Sequence, residues 1–205
     1  VRNLIILIVL VIILGGMGVF LSGDKSNPKV SEVPKREKTS EAVVRSGDCD
    51  VKLTPSLTEG PYYKAGSPER TNIRGDSEGE KLTVTGFVFD SDCKPIKGAW
   101  VDFWQADGNG NYDNTGFNLR SHQFTDENGK YILDTVLPGK YPGRTPHIHV
   151  KVRASETGPV LTSQLYFPDE EQNTRDSIFN QALVVKMGEK DGAKTATFNF
   201  VIPRE

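Results

Sequence analysis

KLTVTGFVFD, residues 81–90, alternates apolar and polar side chains along its length. Successive side chains of an extended strand point to opposite faces, so a period of two describes a strand with one face in a core. Seven further runs of similar length follow: GAWVDFWQ (98–105), LRSHQFT (119–125), KYILDTV (130–136), PHIHVKVR (146–153), PVLTSQLYF (159–167), NQALVVKM (180–187) and KTATFNFVI (194–202). The segments between them, among them SDCKPIKG, DGNGNYDNTG, DENG and LPGKYPG, are rich in turn-forming residues. Eight short strands at this spacing predict an all-β fold, an antiparallel β-sandwich with long loops available for an active site. Only DEEQNTRDSIFNQ (169–181) reads as a short helix.

Composition agrees with a folded domain: of 205 residues, 36% are hydrophobic and 25% charged. Basic and acidic residues nearly balance, 25 against 27. No basic stripe marks the β-rich part, which argues against nucleic acid as a partner. The chain has no internal repeat and no glycine-rich phosphate loop.

Ahead of the strands the character changes. Residues 4–21, LIILIVLVIILGGMGVFL, carry no charge, and as one apolar helix they would span about 27 Å. Residues 1–21 are therefore expected to be a transmembrane anchor or signal segment. The glycines near its end make poor cleavage sites, which favours the anchor. Residues 22–46 carry many charges and no aromatic residue, the composition of a flexible linker. The folded domain is expected over 47–205. Basic residues after the apolar run (Lys25, Lys29, Lys35, Arg36 and Lys38, against Arg2 before it) favour a cytoplasmic domain. The short N-terminal tail favours export, and the domain is expected outside the cytoplasm, membrane-anchored or secreted. Cys49 and Cys93 are either a disulfide, which needs an oxidising compartment, or two buried thiols.

The strand-like PHIHVKVR holds His147 and His149, two of the chain's three histidines. Residues i and i+2 of a strand share a face, about 6–7 Å apart along it, which suits two ligands of one metal ion. Two satisfied buried histidines would look the same from sequence. No Asp or Glu lies within the segment, which disfavours a site of two histidines and one carboxylate. Tyr141 precedes the pair by six residues, and Tyr112 sits in the polar loop GNGNYDNTG, where a core tyrosine is not expected.

One ordered set of motifs runs through the domain: EGPYY, GAWVDFWQAD, G-x-Y ending at Tyr112, PG-x-Y ending at Tyr141, R-x-x-H-x-H over 144–149, and LT-x-Q over 161–164. In this combination the chain resembles the intradiol ring-cleavage dioxygenases, which include catechol 1,2-dioxygenase and protocatechuate 3,4-dioxygenase. The likeness covers residues 53–167, with a weaker tail, and is strongest to short secreted forms. It implies a non-haem Fe(III) held by Tyr112, Tyr141, His147 and His149. It implies as substrates a small catechol-type diol and O2, with a cis,cis-muconate-type product. Tyr141 would take up a substrate proton. Arg144 and Gln164 would stabilise negative charge on the reacting ring carbon, and Tyr63 would line the substrate mouth. The helical segment through which catechol 1,2-dioxygenases pair has no counterpart here, though a homodimer is allowed.

Other residues read as structural. Trp100, Phe103 and Trp104 suit a core or pocket wall, TDENG (125–129) a hairpin turn, and Cys49 with Cys93 a staple from the chain entry to the first hairpin. The competing readings are a non-catalytic transthyretin-like sandwich module on a membrane stalk, and a zinc hydrolase using His122, His147 and His149.

Overall fold

The computed structural model describes Cys49 and residues 51–204, so the apolar segment 1–21 and the linker 22–46 lie outside the described residues. Nine strands form two sheets: β1 (Lys81–Phe89), β2 (Trp100–Gln105), β3 (Arg120–Phe124), β4 (Lys130–Val136), β5 (His147–Arg153), β6 (Leu161–Tyr166), β7 (Lys186–Lys190), β8 (Ala193–Thr197) and β9 (Phe200–Val201). One sheet has the order β3-β2-β5-β6; the other runs β4-β1-β8-β7, with β9 also on β1. The alternation read in the sequence is the packing pattern. Leu82, Val84 and Val88 of β1 face Val101 and Phe103 of β2, Ile148, Val150 and Val152 of β5, and Leu165 of β6 in one core. Each such side chain, fully buried, contributes about 1.5–3 kcal/mol.

The structure corrects the sequence reading in four respects. The strand count is nine rather than eight, because 194–202 is two strands broken at Phe198 and Asn199. The first half of β1 pairs with β8 and its end pairs with β9. At the break, Phe87 N–H donates to Asn199 Oδ1 at 3.0 Å, and Tyr131 Oη donates to the Phe198 carbonyl at 2.8 Å. Both β8 and β9 run parallel to β1, so this sheet is mixed and not purely antiparallel. The stretch 180–187 is a 3-10 turn over Gln181–Leu183, capped by the Asn180 side chain, and β7 begins only at Lys186. The helix expected over 169–181 is reduced to a 3-10 turn, Glu171–Thr174.

Cys49 and Cys93 are joined as a disulfide with Cα atoms 5.8 Å apart. From there the chain runs along the sandwich edge. Thr54 N–H donates to Val201 O and Leu57 N–H to Thr162 O, at 2.9 and 2.8 Å. This path delivers Gly60 to Tyr63 over the outer face of the four-stranded sheet.

Candidate metal centre on the outer sheet face

β5 lies between β2 and β6, so its outward side chains have neighbours on both sides. Ile148, Val150 and Val152 point into the core, and His147, His149 and Lys151 point away from it. In register, Trp104 and Gln164 flank His149, and Tyr166 flanks His147. The Trp104 indole stacks on the His149 ring at 4.8 Å and 8°. Both histidines are almost fully buried, 2% and 1% exposed, because loops cover this face.

His147 Nδ1 lies 2.7 Å from the Thr145 carbonyl, which can only accept, so Nδ1 carries the proton and Nε2 a lone pair. That Nε2 lies 3.0 Å from His149 Nε2 and 3.4 Å from Tyr141 Oη. Burial lowers both imidazole pKa values, that of His147 to about 4; Arg144 adds to the effect at His147, and His147 and then Arg144 add to it at His149. Both rings are therefore neutral at neutral pH.

The two tyrosines arrive on loops that pack backbone against backbone. Asp107 Oδ1 accepts the N–H groups of Asn109 and Asn111, both at 2.9 Å, and shapes the turn before Tyr112. Gly110 (φ +84°) lies so close to the 137–146 loop that a β-carbon would stand 2.2 Å from the Lys140 carbonyl oxygen. Only glycine permits that approach, which sets the Tyr112 ring 5.8 Å from that of Tyr141 and 6.3 Å from His149. The Tyr112 hydroxyl is buried with no hydrogen-bond partner among the described residues. Burial, and then Tyr141, push its pKa well above that of free tyrosine; burial also raises that of Tyr141, against the pull of Arg144.

Arg144 reaches in between these loops. Its Nη1 donates to Tyr141 Oη at 3.3 Å and its Nη2 to Gln164 Oε1 at 2.5 Å. Tyr166 Oη donates to the same Gln164 oxygen at 2.8 Å, and Gln164 Nε2 donates to the Thr58 carbonyl at 3.0 Å, which fixes the amide orientation.

Tyr112, Tyr141, Arg144, His147, His149 and Gln164 thus gather in one place. Tyr63 stands one step aside: its ring packs on Trp104 at 4.8 Å and its hydroxyl donates to Asp102 Oδ2 at 3.2 Å. Burial and the Asp102 charge push its pKa up to about 12. His122 is apart from the pair, with Nδ1 2.7 Å from the Ser67 carbonyl. Among the described residues no group of three His, Cys, Asp or Glu could hold a metal, which removes support for the three-histidine zinc reading. The sequence reading passed over three residues. Tyr62 stacks on Tyr112 at 4.3 Å. Arg120, 1% exposed, braces that region through the carbonyls of Tyr62 (2.7 Å) and Asp113 (3.1 Å). Asp176 pairs with Arg144. EGPYY turns at Pro61 and Tyr62, so strand alternation gave no signal for Tyr62.

Two neutral imidazoles with converging nitrogens and a buried phenol without a protein partner are a donor set suited to a cation. Two nitrogens and two phenol oxygens suit a hard ion that stabilises phenolate, so these residues fit a ferric site.

A two-sheet β domain with two histidines, two tyrosines and an arginine gathered on one outer sheet face defines the class: a β-sandwich with a candidate non-haem metal centre. The chain belongs to the intradiol ring-cleavage dioxygenase family: the family model described as Dioxygenase matches residues 58–203. The chain is 49% identical to the solved dioxygenase domain of a dioxygenase–carbohydrate-binding protein fusion from Streptomyces sp. SirexAA-E, covering 74% of this chain and 99% of that one, with a TM-score of 0.71. It is 30% identical to the protocatechuate 3,4-dioxygenase alpha chain of Pseudomonas putida over 74% of this chain and 92% of the relative. It is 42% identical over 100 residues to catechol 1,2-dioxygenase of Acinetobacter baylyi, covering 43% of this chain. The matches span 32% of that enzyme's length and 51% of the hydroxyquinol 1,2-dioxygenase of a Rhizobium strain.

Proposed function

We propose that the domain is an Fe(III)-dependent intradiol dioxygenase that inserts both atoms of O2 into a catechol-type ring, giving a cis,cis-muconate-type product. The observation that carries the reading is the 3.0 Å convergence of the His147 and His149 nitrogens beside Tyr141, with the unpartnered Tyr112 hydroxyl, in a chain of this family. Tyr112, Tyr141, His147 and His149 would hold the ion. When bound, ferric iron supplies the Lewis-acid and one-electron chemistry that lets O2 react with an aromatic ring.

The protein's own residues do the rest. With the ion bound, Tyr141 would be a phenolate, and its oxygen, 3.3 Å from Arg144 Nη1 and 3.4 Å from His147 Nε2, would accept a proton from an entering diol and hold it at Oη. Arg144 is fixed positive charge beside the reacting ring, where negative charge develops, and such pre-oriented charge is a large catalytic contribution. Gln164 presents its oxygen to Arg144 and Tyr166, and so holds the guanidinium. The covering segment 58–63 and the loops around Tyr112 and Tyr141 limit water at the histidines. The non-catalytic module reading finds no support, since a two-sheet scaffold alone does not require this buried donor set.

Relatives named for catechol, hydroxyquinol, chlorocatechol and protocatechuate define the substrate panel. Iron-loaded residues 47–205 should be red-brown and consume O2 with at least one of them. A colourless, iron-retaining protein, or no uptake with any, would contradict the proposal. The partners in this reading are a small aromatic diol, O2, the membrane through residues 1–21 and, in a homodimer, a second copy of the chain.

The same reading places the domain outside the cytoplasm. The pairing of Cys49 with Cys93 supports it, because disulfides persist in oxidising compartments. Both cysteines of protein recovered without reductant should resist alkylation. Labelling of both would count against export.

A further inference from the structure

Arg144 has a third partner that the proposed chemistry does not use. Its Nε donates to Asp176 Oδ2 at 2.8 Å, with the two side chains 16% and 1% exposed. Asp176 is itself held by the N–H groups of Thr145 and Ile178, each at 3.1 Å. Beside it, Thr145 Oγ1 donates to Asn173 Oδ1 at 2.6 Å, and Asn173 Nδ2 donates to the Phe167 carbonyl at 2.9 Å. The segment after β6 therefore grips the loop that carries Tyr141 and Arg144.

An unrestrained arginine samples many rotamers, and its planar fork is useful only when aimed. Fixing the Nε edge leaves the guanidinium plane little freedom, so Nη1 meets Tyr141 and Nη2 meets Gln164. We propose that Asp176 is a positioning residue for ring cleavage, aiming Arg144 across the site through its Nε edge. The inference rests on the ring-cleavage reading above. Asp176 has two opposing effects: its negative charge weakens the field of Arg144, while its contact sets the direction of the fork. Misplacing a catalytic group by about 1 Å can cost on the order of 10²-fold in rate, so direction outweighs the partial neutralisation.

The test is a double-mutant cycle on the iron-loaded domain, with turnover expressed per bound iron. Asp176→Asn is expected to lower kcat about 10- to 100-fold and to change KM less than about threefold. In the Arg144→Gln background the same substitution should change kcat less than about twofold, because the group it aims is gone. Asp176→Glu should recover part of the loss, since it keeps the carboxylate. A purely structural ion pair would lower the thermal midpoint of the Arg144-containing protein with kcat per iron unchanged, and that result overturns the proposal.

A second measurement needs neither iron nor turnover. In the metal-free domain the ¹⁵N signal of Arg144 Nε–H should be protected from exchange with water. A fast-exchanging signal overturns the proposal, including where Asp176→Asn does not fold. A wild-type protein that cleaves no diol counts against the ring-cleavage reading, whereas the Arg144 signal reports on the clamp alone.

Discussion

Tyr112→Phe is expected to move two quantities in opposite directions. In the metal-free domain it removes a buried hydroxyl that has no partner. Leaving such a group unsatisfied costs about 1–3 kcal/mol, so the variant should be more stable than the parent by about 1 kcal/mol. In the iron-loaded domain it removes an anionic oxygen that favours Fe(III). Metal-assisted charge stabilisation amounts to several kcal/mol, so turnover per protein should fall on the order of 10³-fold. The phenolate-to-iron band should weaken and shift as well. Thermal melts with and without iron, together with the visible spectrum, check both signs. A variant that is destabilised without metal and spectrally unchanged with it would make Tyr112 an ordinary packing residue.

Gly86→Ala should cost more stability than almost any other single-methyl change. Gly86 is the β1 residue facing the break between β8 and β9, where an added β-carbon would stand 1.7 Å from the Phe198 carbonyl oxygen and 2.7 Å from its carbon. These are backbone atoms, and the carbonyl is held by Tyr131 at 2.8 Å. The clash cannot be relieved by a rotamer change, and both the β8 and β9 pairings must shift. A loss of about 3 kcal/mol or more is expected, lowering the melting midpoint by roughly 10 °C in a domain of this size. Gly188→Ala is the control: its nearest neighbour is the Thr195 hydroxyl at 3.0 Å, a side-chain atom that can turn away. A Gly86→Ala protein that melts with the parent would remove the close crossing from the account of the mixed sheet.

Local signals carried some elements of the fold, and contacts distant in sequence decided the others. KYILDTV became β4 at its expected limits because DENG and LPG punctuate it at both ends. The break inside 194–202 has no glycine or proline to announce it. It is set by Gly86 and Tyr131, more than 65 residues away in sequence. The parallel pairing of β1 with β8 and β9 was likewise illegible, since strand alternation does not encode direction. The late start of β7 had a readable cue. Asp191-Gly192, both with positive φ (53° and 74°), is a hairpin turn that defines the β7–β8 pair.

In the site, the strand period alone set His147 and His149 on one face. Tyr112, Tyr141, Arg144 and Gln164 came from the family resemblance, and the structure brings them together. Tyr62 and Asp176 were missed because each is defined by a contact 50 and 32 residues away, respectively, at Tyr112 and Arg144. No local pattern carries such a pairing.

The most direct test of iron-dependent ring cleavage is mass spectrometry of the product formed from catechol by the iron-loaded domain under ¹⁸O2. Cleavage between the two hydroxyl-bearing carbons, with both labelled atoms in an acyclic cis,cis-dicarboxylate, is the predicted result. An unlabelled or uncleaved product, or one opened outside the two hydroxyl carbons, would contradict it.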